Sequence, residues 1–127
     1  MCLILTISTQ KEILRTVQEE FEVHGLYINK VIKGPLLSIN SIYTLDNGMC
    51  SCDFFSDNKE SKSYQKLLNK LFKDLYKSEV HIGLLLHWYK ESIESEKIRK
   101  PKKMKISFED LTNSIHDINQ DVLYKIY

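Results

Sequence analysis

The chain has 127 residues, 43% hydrophobic and 28% charged, a balance that excludes an intrinsically disordered chain and a membrane-embedded one and suffices for a single domain with its own core. With 18 Lys and Arg against 17 Asp and Glu, the formal charge of +1 supplies no global field to hold a nucleic acid or an anionic membrane, so a charged partner must meet a local patch. The 3 cysteines, an odd number without a targeting pattern, read as reduced thiols in a cytoplasmic protein.

Met1 to Ile7 is apolar but has no basic segment before it and turns polar at Ser8, short of a signal peptide; no run approaches transmembrane length, and no membrane is expected. Leu3 to Ile7 predicts a strand, and Thr9 and Glu12 have the spacing of a capping box, so the strand is expected to run into a helix. Ile13, Leu14, Val17 and Phe21 then repeat at helical spacing, and Gly25 is the residue type most often found past a helix end. Tyr27 to Ile32 predicts a second strand, with Ile28 and Ile32 on one face, broken by Gly34-Pro35.

A third strand is expected from Leu37, with Leu37, Ile39, Ser41 and Tyr43 on one face, and Asn47-Gly48 predicts a hairpin returning through a strand over 49–55. After the polar stretch Ser56 to Ser63, the stripe Tyr64, Leu67, Leu68, Leu71, Phe72 and Leu75 predicts a long helix. Val80 to Tyr89, nearly all apolar, predicts a central strand covered on both faces. The charged stretch up to Lys105, with Pro101 inside it, predicts a protruding ribbon or a long connecting loop. Ser107 is positioned to cap a third helix carrying Phe108, Leu111, Ile115 and Ile118, and Val122 to Tyr127 closes the chain as a strand or a helical turn. Together these elements predict one α+β domain over 1–127: a two-layer sandwich, its sheet mainly antiparallel or mixed, with two main helices and a C-terminal helix.

Chemistry concentrates in Cys50-Ser51-Cys52-Asp53. In an extended strand the two thiols share a face with Cα atoms roughly 7 Å apart, too far for an unstrained disulfide, so a shared ligand is the natural functional reading. Zinc needs about four ligands, and only Cys2 and the dispersed His24, His81, His87 and His116 remain to complete such a set. The competing reading makes Cys50 and Cys52 small buried hydrophobes, and no metal is expected. A catalytic thiol would need an electropositive or His-rich surrounding.

His87-Trp88-Tyr89 combines stacking surface with hydrogen-bonding side chains and suits a pocket edge, a protein interface or the edge of a core. Glu91, Glu94 and Glu96 precede Lys97, Arg99, Lys100, Lys102, Lys103 and Lys105. The basic half suits phosphate but carries no aromatic platform, and as a solvated ribbon or an edge-protecting charge set it needs no ligand. Glu19, Glu20 and Glu22 lie on the polar face of the first helix, and there is no phosphate-binding glycine loop, nucleophile elbow or metalloprotease motif.

The order Cys50-Ser51-Cys52-Asp53, a helix, then His87-Trp88-Tyr89 on a later strand resembles that of small bacterial single-domain proteins. In size and style the chain is similar to compact immunity proteins, which neutralise a cognate toxin domain and have no active site of their own. The resemblance implies a non-enzymatic protein-binding module with a protein partner, no cofactor and no catalytic residue. Trp88, Tyr89, Glu91 and Glu94 are the expected interface, the carboxylates meeting cations that otherwise hold a substrate phosphate and the aromatics supplying buried area. The competing classes are a cysteine-dependent enzyme or metal-binding regulator centred on Cys50 and Cys52 with help from His87, and a nucleic-acid adaptor using Lys100, Lys102 and Lys103.

Overall fold

The computed structural model describes residues 2–31, 41–56, 58–77, 82–90, 96, 98 and 101–127. Among these residues six strands, β1 (Cys2–Thr9), β2 (Tyr27–Val31), β3 (Ser41–Asp46), β4 (Ile82–Tyr89), β5 (Lys102–Ile106) and β6 (Val122–Ile126), form one mixed sheet in the order β2-β3-β1-β4-β6-β5. Every neighbouring pair is antiparallel except β5 with β6. Helices α1 (Arg15–Val23), α2 (Lys59–Lys77) and α3 (Phe108–Asn113) complete the two-layer α+β sandwich. Phe21 of α1, Leu68, Leu71, Phe72 and Leu75 of α2 and Leu111 of α3 share one core with the strand residues Leu5, Ile7, Tyr43, Leu45, Leu84, Leu86, Tyr124 and Ile126. These are alternate positions of their strands and the one-sided stripe of each helix, as a half-covered sheet requires.

The capping box does not form. Thr9 is the last residue of β1, paired with Ser41, and its hydroxyl donates to the Lys11 carbonyl at 2.6 Å. Glu12 pairs instead with Lys30 of β2. A residue held in a strand ladder cannot also sit at a helix N-cap, so α1 starts later, behind Ile13, whose N–H donates to the buried Tyr43 hydroxyl at 2.9 Å. The other end closes as the sequence suggests. Gly25, at φ 93°, donates to Glu22 O, and Leu26 N–H donates to Phe21 O; this is the double bond pattern of a left-handed helix stop.

Asn47-Gly48 turns the chain, but no strand follows. Gly48 takes φ 97° and donates to Asp46 Oδ1 at 2.8 Å, and Asn47 N–H donates to Cys50 O. Residues 52–54 then form a short 3-10 turn where the hairpin's return strand was expected. The reason lies in the sheet order: β3 already pairs β2 on one edge and β1 on the other, so a returning strand has no free edge to join. Ser51 takes up the ends of that pairing. Its N–H donates to Leu3 O at 2.8 Å, its hydroxyl donates to Leu45 O, and Leu5 N–H donates to the same hydroxyl oxygen at 2.8 Å.

Downstream, Asn58 caps α2 by accepting from Ser61 N–H at 2.8 Å, while Gln65 Nε2 donates to Phe54 O at 2.8 Å and binds the helix to the 3-10 turn. β4 is interior, between β1 and β6, and is covered on both faces as expected. Leu84 and Leu86 face the helices, whereas Leu85 joins Ile42 in a smaller cluster under Val31, Ile98 and Leu123. Gly83 interrupts its apolar run where a Cβ would come within 2.5 Å of Ser8 Oγ.

Lys102 to Ile106 is an edge strand parallel to β6, not a protruding ribbon, and its exposed lysines fit the protection of an open edge. Ser107 caps α3 by accepting from Asp110 N–H at 3.1 Å, although that helix stops at Asn113 and Ile115 belongs to a following 3-10 turn. The C-terminal stretch is a strand. The expectations for Ile32, Gly34-Pro35, Leu37, Ile39, Val80 and most of 91–100 lie outside the described residues.

Replacing Ser51 with Ala deprives Leu5 N–H and Leu45 O of their buried partner. The loss is expected to lower unfolding free energy by about 1–3 kcal/mol; urea denaturation reads it, and a change within about 0.5 kcal/mol would show that Ser51 does not seal the sheet.

Candidate functional site

The sheet face turned away from the helices carries a polar band. Strand pairing places Thr44, Thr6, Leu85 and Leu123 side by side, with His87 and Tyr89 following along β4. Thr6, Thr44 and Tyr89 are buried, and Glu96 and Ile98 pack over this face through His87 and Leu85. Burial of so many polar groups on one face marks it for inspection.

At its centre His87 stands between two carboxylates. Nδ1 faces Asp121 Oδ1 and Nε2 faces Glu96 Oε2, with the imidazole and Glu96 mostly buried and Asp121 half-exposed. Both acids are themselves held. Glu96 Oε1 accepts from Lys90 N–H at 2.9 Å, and Asp121, in a left-handed conformation at φ 59°, donates its N–H to Leu86 O at 2.8 Å. Asp tolerates that conformation better than most residues. With a carboxylate oxygen at each ring nitrogen, both hydrogen-bonding positions of the imidazole are taken. The arrangement is a clamp that ties the entry to β6 and the Glu96 side chain to the end of β4.

Tyr89 meets His87 edge to face, ring centroids 4.6 Å apart. Its hydroxyl is buried and pushed up to about 12, first by burial, with the Glu96 and Asp121 carboxylates adding to the rise and the Thr6 hydroxyl drawing it down. Neither the Tyr89 hydroxyl nor Thr6 Oγ1 completes a well-formed hydrogen bond among the described residues.

The cysteines lie elsewhere. Cys50 and Cys52 are not on one face of a strand; they flank Ser51, Cys50 in the loop before the 3-10 turn and Cys52 as its first residue, both half-buried, and Cys52 N–H donates to Cys50 Sγ at 3.4 Å. Burial pushes the Cys50 thiol up, the Cys52 thiol adds to that, and the Cys52 N–H only partly offsets it. This is the reverse of an activated nucleophile. His87 is committed to its clamp and His116 pairs with Asp117 at 3.3 Å. Among the described residues no group of three or more His, Cys, Asp or Glu is placed to hold a metal ion.

Of the expected interface residues, alternation along β4 separates Trp88 from Tyr89. Trp88 is 43% exposed on the helix-side face, beyond Leu86 and opposite Leu3, whereas Tyr89 is 2% exposed on the other face. Glu91 and Glu94 lie outside the described residues, as do His81 and Lys100. Lys102 and Lys103 are exposed but point to opposite faces of β5; Lys103 and Lys105 share a face with Lys125 of β6. The clamp residue that sequence reasoning missed is Asp121. Its signal was an acidic turn residue directly before the β-prone run from Val122.

His87→Ala should lower unfolding free energy by roughly 2–4 kcal/mol near neutral pH, because Glu96 is left as a mostly buried acid without its imidazole; a loss below about 0.5 kcal/mol in urea denaturation would remove the clamp. Tyr89 gives a second test. Its raised folded value means the neutral phenol is favoured by folding, so this contribution is intact below the ordinary value of 10.0 and is lost as pH rises towards about 12. Wild type should therefore lose stability relative to Tyr89→Phe across that alkaline window; parallel curves would show that the phenol is not buried as described. Comparison with protein-family models, with curated proteins and with solved structures finds no match to this chain.

Proposed function

We propose that this protein is a non-enzymatic protein-binding module of the immunity type, occluding the working surface of a cognate toxin in the cytoplasm. The observation that carries the reading is Trp88: a large aromatic side chain, 43% exposed, on an interior strand and paired there with Leu3 of β1. A rigidly mounted Trp loses little conformational freedom on docking and is the residue type most enriched among binding hot spots. Tyr89 has no part in this surface, being turned to the opposite face. Glu91 and Glu94 follow Trp88 in sequence and supply the carboxylates that would engage cationic groups on the toxin.

Two further observations support binding over catalysis. The imidazole of His87 is occupied on both nitrogens, and the Cys50 thiol is held up by burial. Both side chains that a cysteine-dependent enzyme would use are therefore in unreactive settings. No described helix is long and apolar enough to cross a membrane.

The tagged protein should capture one stoichiometric companion from its native cells under reducing conditions, identified by mass spectrometry. With that companion purified, Trp88→Ala should weaken binding by about thirtyfold or more, while the double change Cys50→Ser, Cys52→Ser should stay within about threefold. Equal binding by wild type and Trp88→Ala, or no companion at low and moderate salt, would overturn the proposal.

A further inference from the structure

The loop around Ser51 brings Cys50 and Cys52 closer than a strand would. Ser51 has φ -99° and ψ 5°, a compact conformation, and helix-like geometry puts Cα atoms two residues apart at about 5.4 Å. That lies inside the range of about 4.4–6.8 Å that disulfides occupy, whereas extended geometry lies at or beyond its upper limit. The Cys52 N–H already reaches Cys50 Sγ at 3.4 Å.

The backbone between the thiols is fixed from outside. Ser51 is fully buried and bonded to Leu3, Leu5 and Leu45, and the Asn47 side chain holds both flanks of the pair, accepting from Cys50 N–H at 3.1 Å and donating to Asp53 Oδ2 at 2.8 Å. A dithiol whose intervening residue is held in a compact conformation starts inside the Cα range of a bridge and is to that extent preorganised for ring closure.

We propose that Cys50 and Cys52 form a modification site, a dithiol that closes to an intramolecular disulfide by exchange with a low-molecular-weight disulfide. One cysteine thiolate attacks the small disulfide, whose sulfur–sulfur bond breaks as a mixed disulfide forms and one thiolate leaves. The second cysteine thiolate then attacks the protein-bound sulfur, forming the Cys50–Cys52 bond and displacing the second small thiolate. The two protein thiol protons end on the two departing thiolates, and two electrons pass from the protein to the small disulfide. Because burial pushes the Cys50 thiol up, closure is slow near neutral pH and accelerates as pH rises. The proposal is independent of the binding function.

The test is equilibration of the full chain with mixtures of oxidised and reduced glutathione, acid quenching, intact mass and peptide mapping. The expected product has lost two hydrogens and maps to a Cys50–Cys52 bridge, while Cys50→Ser and Cys52→Ser each stop at the glutathione adduct. The closing constant should be at least about tenfold larger in the native protein than in concentrated urea, the signature of preorganisation. Adducts that never close, a bridge to Cys2, or a native constant equal to or below that in urea would each overturn it.

Discussion

The position of β3 constrains everything around it. It pairs β2 on one edge and β1 on the other, so the chain leaving Asp46 cannot extend the sheet and must climb onto the helix layer. Ser51 makes that departure possible without leaving polar backbone unpaired, since its N–H and hydroxyl serve Leu3, Leu5 and Leu45 where the two strands part. A single small residue with one donor and one donor-acceptor group suits this place. The 3-10 turn, the entry into α2 and the packing of Phe54 against Tyr64 all hang from that departure.

The second organising feature is the double coverage of β4. Its helix-side positions fill the main core, and its other positions build a smaller cluster in which Leu85 and Ile42 meet Ile98, followed by the His87 clamp. Hydrophobic contact and charge-assisted hydrogen bonds thus act in neighbouring rows on one face. They hold residues 96 and 98 against the sheet with no regular secondary structure there. A charged side chain at this depth costs little only when it is paired, and His87 and Glu96 pair with each other.

Elements whose residues repeat with one strong period were legible in the sequence. The stripe Leu68, Leu71, Phe72 and Leu75 gave α2, and the apolar run from Ile82 gave β4, because the period of burial is a property of the segment itself. What failed depended on neighbours distant in sequence. Asn47-Gly48 specifies a reversal, but whether a strand follows depends on β1 and β2 being in place, and Thr9 became strand because Ser41 lies opposite it. The clamp was illegible for the same reason. Glu96, His87 and Asp121 come together only through the pairing of β4 with β6 and the placement of Glu96 beside His87. Trp88 and Tyr89, adjacent in sequence, do not share one surface, and strand alternation alone assigns them to opposite faces.

β6 lies between β4 and β5, although it comes after both in the chain. Lys102 to Ile106 therefore has no described strand to pair with until β6 is in place beside β4, and its lysines make that unpaired segment averse to self-association. Joining β5 through α3 to a strand inserted beside β4 makes completion of the sheet a non-local event: β6 must meet β4 about forty residues upstream, a loop-closure cost that the local hydrogen bonds of α2 do not carry.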